Sequence, residues 1–103
     1  MGMTPPELLL ASLGTCAAHY AAEYLRARNL PTAGLEVSVE AEKAAVPARL
    51  GNFRISIHTA PLEERHREGV LRAAKRCLIH NTLLHTPEIE VEVGSLENRL
   101  ATV

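Results

Sequence analysis

Nowhere in this 103-residue chain do lysines and arginines gather into a cluster. Its 12 acidic residues slightly outnumber its 11 basic ones, leaving a formal net charge of −1. Such a surface does not draw in polyanions, so no nucleic acid is expected as a partner. Long hydrophobic runs are missing too. The apolar run Leu8–Leu13 is too short to span a bilayer, and the longer segment around it is broken by Ser12, Thr15, His19 and Glu23. No membrane association is expected. The basic stretch that opens a signal peptide is lacking, which makes the reducing cytoplasm the expected compartment. Cysteine is scarce, with only Cys16 and Cys77. In the cytoplasm a permanent structural disulfide between them is disfavoured, whereas a transient catalytic one is not. Repeats, low-complexity segments and linkers are absent. The 103 residues make a single domain, 1–103, small for enclosing a buried active site by itself.

Hydrophobic residues nonetheless make up 47% of the chain, as in a soluble globular protein, and their spacing sets out the elements. Thr4-Pro5-Pro6-Glu7 reads as a helix start, with Thr4 as N-cap, Pro5 at the first helical position and Glu7 completing a capping box. The helix is expected to run to about Arg28 or Asn29, where Pro31 stops it. Leucine and alanine leave little of its first half polar, which predicts burial on most sides. Gly14 inside it costs about 1 kcal/mol relative to alanine, which predicts another backbone packed close by. Two strands follow, Leu35–Glu42 and Phe53–His58, each apolar at alternate positions. A period of two with one polar face predicts an antiparallel pair covered on one side only. Lys43–Asn52, with Pro47 and Gly51, is expected as their connecting loop. A second helix opens at Pro61-Leu62-Glu63-Glu64, carries a stripe of Leu62, Val70, Leu71 and Ala74, and ends near Arg76 or Cys77. Asn81-Thr82 is placed to cap a short turn over Leu83 and Leu84, and Glu88–Val93 alternates as a last strand with one acidic face. The fold class is thus α+β, in the order α-β-β-α-β. Three half-buried strands cannot cover so apolar a helix in a chain of this size. Leu8–Leu13 needs a partner, most simply a second copy across a two-fold axis.

A histidine follows each thiol at the same interval, Cys16-x-x-His19 and Cys77-x-x-His80. Four arrangements stay open: two inert core residues, a disulfide, a redox couple, or half of a metal site. Free cysteine is among the most buried residue types, which favours the first. Ser12, His19 and Tyr20 lie three or four positions from Cys16, near enough to hydrogen-bond a thiolate or a substrate oxygen. Arg72, Lys75 and Arg76 precede Cys77; they favour a thiolate if they face it, and equally complement a helix C-terminus. The two Cys-x-x-His pairs together offer four ligands for tetrahedral zinc. Such sites usually take one pair from a tight knuckle, however, and Cys16 lies deep in an apolar helix. No metal and no cofactor are expected.

PPELLLASLGTCAAHYAAEYLRARNL resembles the central helix of the OsmC/Ohr superfamily (osmotically inducible protein C and organic hydroperoxide resistance proteins), where a P-x-E-L-L-containing start leads to a buried cysteine. RCLIHNTLL is similar to the family's second cysteine segment, with Leu78 where proline is usual. LEVSVEAEKAA, FRISIHT and EIEVEV fall where the family has strands. The resemblance implies a homodimer with two long helices in its core. It also implies thiol-dependent reduction of organic hydroperoxides, and hence oxidative stress defence. Under it, Cys16 is the peroxidatic thiol that becomes a sulfenic acid, and Cys77 is the resolving thiol that closes an intramolecular disulfide. An external dithiol is the implied reductant. Glu7 matches the family's glutamate at the helix start, at the spacing of the OsmC-like branch, and a capping role explains it equally well. The family's strands ahead of this helix, with an arginine that activates the thiolate, have no counterpart here. A truncated or misassigned reading frame, or a shortened relative with little peroxidase activity, is therefore expected, its Cys16 relying on His19, on a cation such as Arg54, or on a partner chain. The alternative is a non-catalytic dimeric module that binds a small apolar ligand near Cys16.

Overall fold

Residues 2–94 are described by the computed structural model. Helix α1 (Pro5–Ala27) begins with the predicted capping box. The Thr4 hydroxyl accepts from the Glu7 N–H, and the Glu7 carboxylate accepts from the Thr4 N–H. It closes at Arg28, followed by Asn29 at a left-handed φ of 56°. Only one stripe of α1 is buried, formed by Leu13, Ala17, Ala21 and Leu25, while Leu8 keeps 54% of its surface exposed. The predicted burial on most sides is not what one chain achieves. The described residues offer α1 only a hairpin and two shorter helices to lie against.

Strands β1 (Glu36–Ala45) and β2 (Ala48–His58) form an antiparallel hairpin from Glu36 opposite His58 to Ala45 opposite Ala48. The segment Lys43–Asn52, expected as a loop, is therefore mostly strand, and the chain reverses at Val46 and the cis-peptide-linked Pro47. Gly51 and Asn52 read as turn residues because they serve a β-bulge. Between the pairs Glu40–Arg54 and Glu42–Gly51, β2 advances by one residue more than β1. Asn52 takes a φ of 51° there, and its side-chain amide donates to Glu42 Oε1 at 2.6 Å. The apolar face of the hairpin packs on α1. A Cβ on Gly14 would sit 3.1 Å from Val39 Cγ2, so the close neighbour predicted for this glycine is a side chain of β1 rather than a backbone.

Helix α2 (Glu64–Ala74) begins at the acidic pair rather than at Pro61, and Glu63 occupies the N-cap without a side-chain cap bond. It buries Gly69, Val70, Ala73 and Ala74. Gly69 lies under the Tyr24 ring, where a Cβ would overlap it. Tyr24 in turn meets His66 Nδ1 at 3.1 Å and carries the Arg28 guanidinium 3.7 Å over its ring centre. Ala21, Leu25 and Val70 form the centre of the core, with Leu30, Leu35, Ile57 and Leu62 packed around them.

Helix α3 (Leu78–Leu84) starts ahead of the expected Asn81-Thr82 cap. The cap is Cys77, whose Sγ accepts from the His80 N–H at 3.4 Å, while the Thr82 hydroxyl donates back to the Leu78 carbonyl. The strand expected over Glu88–Val93 does not form. A strand exists only through its ladder partners, and the sheet of the described residues contains β1 and β2 alone. Ile89, Val91 and Val93 are left 80%, 86% and 98% exposed. The described order is α-β-β-α-α, still α+β. None of these helices is long and apolar enough to cross a membrane.

Candidate active site

Packing of α1 against the junction of α2 and α3 brings together two thiols that lie far apart in the chain. Cys16 is half-buried on α1, one turn beyond Leu13 of the buried stripe, and Cys77 is fully buried. Both are free, and they lie close enough for each to shift the acidity of the other. The backbone N–H groups of Leu78 and Ile79, in the first turn of α3, also act on the acidity of Cys16. Such first-turn amides have no partner within their own helix.

The contacts split the acidity of the pair. Burial pushes the Cys16 thiol up, but the hydrogen bond from Cys77, then those from the Ile79 and Leu78 amides, outweigh it, and the group lies below its ordinary value. For Cys77 burial again acts upward, and the hydrogen bond to Cys16 and the charge developing there act the same way. The His80 and Ile79 amides oppose them without prevailing, so Cys77 lies above its ordinary value. Cys16 is therefore the first to become a thiolate, and Cys77 remains the S–H donor beside it.

The other residues expected near the thiolate lie elsewhere. Glu7 is nine residues from Cys16, about two and a half turns, which puts it on the opposite side of α1 and about 13 Å away along the axis. Its carboxyl is held below the usual range by the Thr4 N–H at 2.8 Å and the Thr4 hydroxyl at 3.0 Å, the bonds of a helix cap. His19 turns to solvent, its Nε2 3.2 Å from Glu23 Oε2. Arg54 sits opposite Glu40 on the exposed face of β2, away from Phe53 and Ile55. Neither His19 nor Arg54 is among the groups that lower the Cys16 thiol, which are Cys77 and then the amides of Ile79 and Leu78. Among the described residues no three His, Cys, Asp or Glu side chains come together closely enough to hold a metal ion, so the two Cys-x-x-His pairs do not assemble into a zinc site.

A groove of about 560 Å³ opens nearby, with neither thiol in its lining. Phe53, Ile55 and Ile57 of β2 line it together with Leu13, Leu71 and Leu83, and among the described residues Lys75 and His80 are its titratable members. It adjoins the thiols through Leu13, one turn before Cys16, and through His80, whose N–H bonds Cys77. Leu71, part of the stripe expected on the second helix, is 52% exposed and lines this groove. The sequence reading missed the amides of Leu78 and Ile79, the groove, and Cys77 as a cap. One signal was present: Cys77-x-x-His80 has the spacing of an N-cap and its N3 residue, and a thiol there accepts as a serine hydroxyl does, only more weakly.

The family model for OsmC-like protein matches residues 1–92. No curated protein matches. Among solved structures the chain is similar to one from Psychrobacter arcticus 273-4, named as an osmotic stress induced and detoxification response protein, with 24% sequence identity and a TM-score of 0.71. The likeness covers 77% of this chain and 58% of that one, so the chain spans less than two thirds of that protein's length. At this identity the likeness is one of fold.

Proposed function

The chain belongs to the OsmC-like family, and from that premise we propose that it is a thiol-dependent peroxidase that reduces organic hydroperoxides. The contact between Cys16 and Cys77, with acidity tilted toward Cys16, carries the reading. The Cys16 thiolate attacks the terminal oxygen of the hydroperoxide. An S–O bond forms, the O–O bond breaks, the alkoxide leaves and takes a proton to become an alcohol, and the sulfur is oxidised to a sulfenic acid. Cys77 then attacks that sulfur; its proton departs with the hydroxyl as water, and the disulfide closes. An external dithiol reduces the disulfide and restores both thiols. The groove walled by Leu13 and Ile57 takes the apolar body of the peroxide. The name carried by the Psychrobacter arcticus protein, an osmotic stress induced and detoxification response protein, is compatible with a detoxifying role. A dithiol that cycles in this way suits the reducing cytoplasm, and the working form is a homodimer.

The test follows free thiols and mass after reduced protein meets cumene hydroperoxide. Wild type should lose both thiols to an intramolecular disulfide. Cys77→Ser should stop at a trappable sulfenic acid on Cys16, and Cys16→Ser should leave Cys77 unreacted. Oxidation of Cys77 at the wild-type rate in Cys16→Ser would reverse the roles. If neither thiol reacts, the groove is the binding site of a non-catalytic module for a small apolar ligand.

A further inference from the structure

The peroxidase reading leaves one proton without a source, and the inference drawn from that gap rests on the reading. When the O–O bond of an alkyl hydroperoxide breaks, the departing oxygen carries a full negative charge into a groove lined mainly by Phe53, Ile55, Ile57 and Leu71. An unpaired charge in apolar surroundings is expensive, so its proton must arrive as the bond breaks. Cys16 has already given up its own proton. Cys77 must keep its proton until the sulfenic acid forms, since it then leaves with the hydroxyl as water.

His80 is placed to supply it. It is the third residue of α3, one position beyond the Ile79 amide that bonds Cys16, and its side chain lines the groove. Its backbone N–H is engaged by Cys77, but its imidazole has no hydrogen-bond or ion-pair partner among the described residues. His19 and His66, by contrast, are engaged with Glu23 and Tyr24. Lys75, the other titratable residue of the groove among the described residues, is exposed. An ammonium is also ordinarily a weaker acid than an imidazolium. We propose that the His80 imidazole is the general acid of the reaction. As the Cys16–oxygen bond forms and the O–O bond breaks, the leaving alkoxide takes a proton from the protonated ring (imidazolium) and departs as alcohol, leaving neutral imidazole that picks up a proton from solvent before the next turnover.

The test compares two oxidants whose leaving groups differ in their need for a proton. Cumene hydroperoxide expels an alkoxide; perbenzoic acid expels a carboxylate, which is stable without protonation. In His80→Gln, which keeps the backbone donor to Cys77, oxidation of Cys16 by cumene hydroperoxide should slow by about 100-fold or more, while oxidation by perbenzoic acid changes by less than about threefold. The perbenzoic acid rate also reports that the variant is folded. Equal losses with both oxidants, or an unchanged rate with cumene hydroperoxide, would overturn the proposal, as would the selective loss appearing in Lys75→Met instead. If wild-type Cys16 is oxidised by perbenzoic acid but not by cumene hydroperoxide, the peroxidase reading itself fails and takes the role of His80 with it.

Discussion

Cys16 is a helix residue whose acidity is set by another helix. Its largest donor is the Cys77 thiol, followed by the amides of Ile79 and Leu78, and together they outweigh the effect of burial. The thiolate fraction therefore rises with pH through a midpoint below that of an ordinary thiol, while Cys77 titrates above its own. Alkylation by iodoacetamide, followed by mass mapping across pH, should show Cys16 reacting with the lower midpoint. Cys77→Ala should move that midpoint up, because the largest donor is lost. An unmoved midpoint would mean that the thiol pair does not set the reactivity. Both cysteines were legible as a pair from their motifs. Their opposite acidities were not, because the amides that create them belong to a helix start that a capping cysteine conceals.

At the scale of elements, α1 and α2 share, beside their packed core, one close local fit. Tyr24 lies across Gly69, and its hydroxyl and ring are engaged by His66 and Arg28. A methyl group at Gly69 forces the ring out of that place, a cost of about 1–3 kcal/mol for an overpacked contact. Against it stands a gain of about 1 kcal/mol in helix propensity. Gly69→Ala should thus lower stability by up to about 2 kcal/mol in urea unfolding. In a Tyr24→Ala background the same change should stabilise, leaving only the propensity gain of about 1 kcal/mol. Equal effects in both backgrounds would show that the ring does not set the fit. The helices themselves were legible from caps and spacing. The hairpin was half legible, since Gly51 and Asn52 carry the same turn chemistry whether they end a strand or bulge it.

The whole molecule is more open than a compact chain of its length, with a radius of gyration of 17.7 Å where about 13 Å is usual. Its fully buried apolar side chains are few, and Leu8, Leu83 and Leu84 remain exposed on helices. These surfaces are what a second copy would cover. Sedimentation at low micromolar concentration should give twice the 11.2 kDa of one chain. A folded monomer at that concentration would remove the case for the homodimer.

The sequence by itself determined what depends on near neighbours. The capping box at Thr4 and Glu7 and the extent of α1 follow from contacts within a turn. The antiparallel pair and its apolar face follow from alternation along a strand. Which residues meet across the fold was decided only by tertiary packing. Glu7 and Cys16 share a helix, yet its rotation sets them on opposite sides, whereas Cys77 comes from the far end of the described chain to touch Cys16. The last strand shows the same limit: Glu88–Val93 has the pattern of a strand but no neighbour to pair with, and alternation states only which face a strand would bury. Periodicity is a property of one element, while a site or a sheet needs two.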